Sequence, residues 1–146
     1  MIGEPLNILL VEDNEDHAEL VRRNLHDSKV ANRLFHVEHG EAALDYLQNH
    51  GQYADPSAFP RPHLVLLDLR LPRIDGLEVL SQIKSHPELR RIPVVVLTTS
   101  DAERDVALAY ERNANSYLTK PVDFAQFSRL LQDLGFYWLA WNKHPW

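Results

Sequence analysis

The sequence predicts one α/β domain built around a parallel sheet, and three observations predict it. Short aliphatic runs recur along the chain, among them LNILLV at 6–11, LVLL at 64–67 and VVVL at 94–97. Each is too short for a helix and lacks the alternation of a half-exposed strand, as expected of strands covered by helices on both sheet faces. Between them lie longer stretches whose apolar residues return every three or four positions. Regular strand–helix alternation implies parallel strands joined by right-handed crossovers.

In chain order, Leu6–Val11 is the first strand and about Glu15 to Asp27 the first helix, with Ala18, Val21 and Leu25 on one face. Arg33–Glu38 alternates as a second strand, and Gly40–Asn49 is a helix with Ala43, Leu44 and Leu47 inward. His50–Pro62 holds Gly51, Pro56, Pro60 and Pro62, which makes it a loop, long for a compact domain. Leu64–Asp68 is the third strand. Gly76–Ser85 is a helix with Leu77, Leu80 and Ile83 at its core face. Val94–Thr98 is the fourth strand, Asp101–Arg112 a helix capped by Ser100 or Asp101, and Ser116–Thr119 a short fifth strand. The last helix begins near Val122 and carries Phe124, Phe127, Leu131 and Leu134. No linker, repeat or low-complexity tract divides the 146 residues, so residues 1–146 are expected to form one domain, with a core at about 6–134 and an aromatic tail at 135–146.

Composition narrows the function. Net charge is −6, which argues against general nucleic-acid or anionic-membrane binding. No cysteine is present, so thiol nucleophiles, disulfides and cysteine zinc sites are excluded. The opening MIGEPLNILL has no basic region and no long apolar core, and no apolar run approaches the roughly 20 residues that span a bilayer. A soluble cytoplasmic protein is expected.

The chemistry lies at the strand ends. Ligands of open parallel sheets bind beyond the carboxyl ends of the strands. The first strand ends in Glu12–Asp13, the third in Asp68, the fourth in Thr98, and the fifth in Thr119–Lys120. Neighbouring carboxylates repel unless a cation joins them. Oxygen ligands favour a hard ion, so Asp13 and Asp68 are expected to hold Mg²⁺, with Glu12 nearby and acting through water. Lys120 supplies a point charge for a phosphate oxygen and Thr98 a hydroxyl at the same height. These are the parts of a phosphoryl-transfer site. No GxxxxGK[ST] or GxGxxG motif grips a nucleotide, so the phosphoryl group must come from a small donor or another protein, and Asp68 is the expected acceptor.

With ILLVEDN, LLDLRLPRIDG, VVVLTTS and YLTKP on the page, the sequence resembles the receiver domain of bacterial response regulators in two-component signalling. The resemblance covers about residues 6–134. It implies a flavodoxin-like (βα)5 three-layer sandwich with strand order 2-1-3-4-5. It implies a phospho-acceptor at Asp68, metal ligation by Asp13, Asp68 and the backbone carbonyl of Arg70, and Glu12 in the acidic pocket. Thr98 becomes the switch hydroxyl, Tyr117 the switch aromatic and Lys120 the phosphoryl-binding lysine. The Arg70 side chain could shield the phosphoryl group and slow its hydrolysis. The loop at 50–62, LRRIPVVVLTTS and FYWL also look like the small single-domain regulators of phytochrome-type histidine kinases.

The expected cycle follows. Asp68 takes a phosphoryl group from a sensor histidine kinase, Thr98 swings toward it, and Tyr117 rotates inward. The face of the fourth helix, fifth strand and last helix then changes shape. No effector module follows Leu134, so the expected output is contact with a downstream protein or phosphotransfer partner. All three tryptophans lie in the final nine residues. Leu130, Phe136, Tyr137, Trp138 and Trp141 exceed what one helix face needs, so a homodimer through the last helix and tail is expected. The plainer roles are helix capping for Glu12, Asp13 and Asn14, packing for Tyr117, and surface charge for Arg70; the eight histidines read as surface or structural. The rival functions are a non-phosphorylated adaptor and a Mg²⁺-dependent phosphohydrolase with an aspartyl nucleophile. The latter usually carries a second aspartate where Arg70 stands, so a switch rather than an enzyme is expected.

Overall fold

The computed structural model describes residues 5–27, 31–98, 111, 114–120 and 124–133; of Thr98, Phe124, Leu131 and Gln132 it describes the backbone only. Five strands, β1 (Leu6–Val11), β2 (Asn32–Val37), β3 (Leu64–Asp68), β4 (Val94–Thr98) and β5 (Ser116–Thr119), form one parallel sheet in the order β2-β1-β3-β4-β5. Helices α1 (Glu15–Asp27), α2 (Gly40–Leu47), α3 (Gly76–Ser85) and α4 (Phe124–Asp133) complete the described chain, with single 3-10 turns at Gly51–Tyr53 and Leu89–Arg91. This is the flavodoxin-like order the resemblance implies. The predicted helix at 101–112 falls outside the described residues apart from Glu111.

The period-two geometry of a strand sorts the aliphatic runs between two cores. Leu9, Val11, Val65, Leu67, Val94 and Val96 face α2 and α3. Leu6, Ile8, Leu10, Leu64, Leu66, Val95 and Leu97 pack with α1 and α4. Covering both faces removes every one of these side chains from water, at about 1.5–3 kcal/mol for each large aliphatic group.

The helices start where side chains satisfy their free N–H groups. Asn14 Oδ1 accepts from His17 N at 3.0 Å, His39 Nδ1 from Ala42 N at 3.1 Å, and Asp75 Oδ1 from Glu78 N at 3.0 Å. Ala18, Val21 and Leu25 are buried as their spacing predicts. In α3 the buried stripe is Gly76, Val79, Leu80 and Ile83, so Leu77 lies beside the stripe, partly buried, and Val79 takes the place expected for it. Two boundaries also move: β2 begins at Asn32 and ends at Val37, and α2 ends at Leu47, where Gln48 caps it.

The long 50–62 loop is pinned rather than loose. Asn49, with φ of 54°, sends its side-chain amide to the carbonyls of Tyr53 (2.9 Å) and Phe59 (3.1 Å). The Tyr46, Tyr53 and Phe59 rings pack together with centroids 5.1–5.8 Å apart, and Phe35 of β2 joins Tyr46 at 5.9 Å. The Tyr46 hydroxyl donates to Pro60 O at 3.0 Å.

One expected interface residue is corrected. Leu130 is buried and belongs to the core of Leu118 and Phe127. It lies three residues after Phe127, on the same helical face, so the sheet takes it. Phe136, Tyr137, Trp138 and Trp141 lie outside the described residues.

Candidate functional site

The register brings the predicted residues together. Val11 pairs with Leu67, so Glu12 and Asp68 follow one step on, side by side at the carboxyl edge. Asp68 pairs with Leu97 and Thr98 with Thr119, so Lys120 leaves β5 at the same edge. Asp13 lies next to Glu12 at the exposed rim.

Glu12, Asp13 and Asp68 each offer a carboxylate oxygen, all within 4.8 Å of one another. Glu12 is fully buried and Asp68 nearly so, while Asp13 is exposed. The Lys120 side chain is only 6 % exposed. Its Nζ donates to Glu12 Oε1 and lies 3.5 Å from Asp68 Oδ1. Glu12 is fixed from several directions. Its second oxygen accepts from Asn14 N at 3.2 Å, its N–H donates to Val37 O at 3.0 Å, and its carbonyl takes a hydrogen bond from His36 Nε2 at 2.7 Å.

The charges do not balance. Three carboxylates against one ammonium leave two formal negative charges, the complement of one divalent cation. The Asp68 carboxyl is raised to about 6, first by burial and then by the negative charge of Glu12, with Lys120 and the N–H of Arg70 only partly opposing them. An acid pushed up in this way marks a pocket lacking positive charge. An all-oxygen donor set with one exposed member fits a divalent cation that keeps part of its water shell.

The loop after Asp68 is held by close packing. Gly76 N donates to Leu69 O at 3.0 Å, and a Cβ at Gly76 would stand 2.3 Å from Asp68 O, so only glycine lets α3 begin against the strand end. A Cβ at Gly40 would meet Ile74 O at 2.5 Å, which seats α2 on the same loop. Arg73, at φ 67°, reaches Glu41 at 3.4 Å. Arg70 follows Asp68 in this loop, its N–H donating to Asp68 Oδ1 at 3.4 Å and its side chain exposed.

Tyr117 is 39 % exposed on β5. The backbone of Thr98 ends β4 at the site edge, and its side chain lies outside the described residues. Two histidines read as surface or structural belong to this region. His36 holds the Glu12 carbonyl, and His17 Nδ1 stands 3.1 Å from Lys120 Nζ. The available signal was position: His17 occupies the first turn of the helix that follows the acidic pair. His39, His63 and His86 do have structural roles, accepting backbone N–H groups through Nδ1.

The comparisons with known proteins agree with this geometry. The family model for the response regulator receiver domain matches residues 8–132. The probable methanogenesis regulatory protein FilR2 of Methanothrix harundinacea is 47 % identical over 97 % of this chain and 89 % of its own length. Response regulator Rcp1 of Synechocystis sp. is 45 % identical over 92 % of this chain and 90 % of its own. A crystal structure of the Mn²⁺-bound form of Rcp1 matches with a TM-score of 0.76 at 44 % identity, covering 97 % of this chain and 100 % of that one. The phosphorylated cyanobacterial phytochrome response regulator RcpA matches with a TM-score of 0.78 at 40 % identity, covering 98 % and 100 %. Sheet order, strand-edge carboxylates, lysine and sequence relationship thus converge: the chain belongs to the response regulator receiver domain family of two-component signalling.

Proposed function

We propose that Asp68 accepts a phosphoryl group from a sensor histidine kinase of the phytochrome type and that this chain signals by protein contact. The observation that carries the reading is Lys120 Nζ at 3.5 Å from Asp68 Oδ1, within a pocket that also holds Glu12 and Asp13. An Asp68 oxygen attacks the phosphorus of a phosphohistidine in line. The O–P bond forms as the P–N bond breaks, and the leaving imidazole keeps the electron pair. Lys120 meets the charge gathered on the phosphoryl oxygens. Asp13, Asp68 and the Arg70 carbonyl are the residues to hold Mg²⁺, with Glu12 beside them. When bound, the ion neutralises the attacking carboxylate and the transferred oxygens.

Thr98 then follows the phosphoryl group as a hydroxyl donor. Tyr117 turns from its exposed position, and the face of the predicted 101–112 helix, β5 and α4 changes shape. The kinship with phytochrome response regulators supports the choice of kinase. The tail aromatics Phe136, Tyr137, Trp138 and Trp141 support a homodimer. Among the described residues no helix is long and apolar enough to cross a membrane. Arg70, where an aspartyl phosphohydrolase carries its second acid, favours a switch over a turnover enzyme.

Incubation with acetyl phosphate and Mg²⁺, followed by intact mass, tests the reading. The wild type is expected to gain one phosphoryl mass and Asp68→Asn none. Equal labelling of that variant would move the acceptor elsewhere.

A further inference from the structure

His17 has no place in the cycle above, yet its ring touches the lysine at its centre. An ammonium has three N–H donors and no acceptor. Its 3.1 Å contact with His17 Nδ1 therefore requires a lone pair on that nitrogen. The backbone N–H of His17 donates to Asn14 Oδ1 at 3.0 Å, which fixes the first turn of α1 under the ring. Lys120 thus gives one donor to Glu12 and one to His17. The third is left for Asp68, whose Oδ1 lies 3.5 Å away, beyond good hydrogen-bond reach. That is the side on which new acceptor oxygens arrive.

We infer that His17 is a positioning residue for phosphoryl transfer: it holds the Lys120 ammonium so that its remaining N–H is aimed at the group on Asp68. The inference rests on Asp68 being the acceptor. Glu12 is a shared anchor, because its carboxylate also belongs to the cation pocket. His17 is a second anchor for the ammonium that lies outside that pocket's carboxylates. A donor held in place needs no reorientation as charge develops, and that is where such a contact contributes to rate. His17 is 36 % exposed and lies outside both cores, so the ring can be removed without opening a cavity.

Three variants separate an aimed lone pair from mere filling of space. In His17→Ala the acceptor is gone. In His17→Asn the amide oxygen can take the place of Nδ1. In His17→Gln it falls one bond further out. Phosphorylation by acetyl phosphate, followed by intact mass at saturating Mg²⁺, is expected to slow about tenfold in His17→Ala and His17→Gln. Half-saturation by the donor and by Mg²⁺ should stay within about twofold, and His17→Asn should recover most of the rate. Lysine ammonium NMR on metal-free protein supplies a readout independent of turnover. Lys84 Nζ, bound to Arg90 O (3.2 Å), Ile92 O (2.8 Å) and Asn115 Oδ1 (3.2 Å), is an internal reference. The Lys120 signal, assigned with Lys120→Arg, should broaden in His17→Ala while that of Lys84 does not change. A His17→Ala protein that keeps the wild-type rate and Lys120 signal overturns the inference alone, as does His17→Asn behaving like His17→Ala. A wild type that takes up no phosphoryl group overturns the acceptor reading, and this role falls with it.

Discussion

Two clusters, each with a buried centre, stand at different places on the sheet and respond to opposite physics. The aromatic cluster of Phe35, Tyr46, Tyr53 and Phe59 locks the 50–62 loop against α2. Its rings meet at tilted and edge-on angles, each such pair worth about 0.5–1.5 kcal/mol beyond burial. Its one deep polar group, the Tyr46 hydroxyl, has a partner. Burial pushes that phenol up to about 12, so it stays neutral at any ordinary pH. The acidic cluster buries Glu12 and Asp68 but carries net charge, and Asp68 is raised to about 6. The first cluster is satisfied by this chain alone. The second needs something the chain lacks, and a group left wanting is one that a ligand can control.

The sharpest break of this comparison is Tyr46→Ala. It should cost about 3–5 kcal/mol and lower Tm by more than about 10 °C, equally with and without Mg²⁺. A Mg²⁺-dependent loss would mean that the clusters are coupled.

Next is Asp68→Asn. A carboxyl whose pKa rises on folding contributes most below its unfolded value, near 3.8, and that contribution fades as pH climbs through about 6. Removing the charge should therefore stabilise metal-free protein at pH 7 by about 2 kcal/mol. Calorimetric Tm values of the two proteins should converge near pH 4. A gain that persists there would assign the effect to packing.

A smaller effect is expected for Lys120→Ala. Taking one positive charge from beside Glu12 and Asp68 should tighten Mg²⁺ binding about tenfold, roughly 1.4 kcal/mol, by titration calorimetry. The same variant should switch poorly, because it lacks the donor for the phosphoryl group. Weaker Mg²⁺ binding would contradict the charge imbalance. Smallest is Tyr46→Phe. Leaving the Pro60 carbonyl without its partner should cost about 1 kcal/mol, read by urea unfolding.

The acidic site was more legible than the aromatic one. Glu12, Asp13, Asp68 and Lys120 each end or follow an apolar run, and a charge there is visible in the sequence as a break in pattern. Parallel alternation then places all strand ends on one edge. Tyr46 gave no such break. It sits among Ala43, Leu44 and Leu47, and only the 50–62 loop folding over α2 buries it. Leu130 was misplaced for the same reason: an apolar residue on a helix does not announce whether the sheet or a partner covers it. The histidines were hardest. His17 and His39 both sit at helix starts, yet one caps its own helix and the other reaches a lysine 103 residues away.

The sequence by itself determined the parallel α/β fold and the residues that gather at its active edge, because strand periodicity and crossover handedness are local rules with one common outcome. Tertiary structure alone decided which groups meet there atom to atom: Lys120 on Glu12 and His17, Asp68 raised by its neighbours, Leu130 drawn into the core. Distances between segments a hundred residues apart depend on how whole helices seat on the sheet, and a few ångströms decide whether two charges repel or bond.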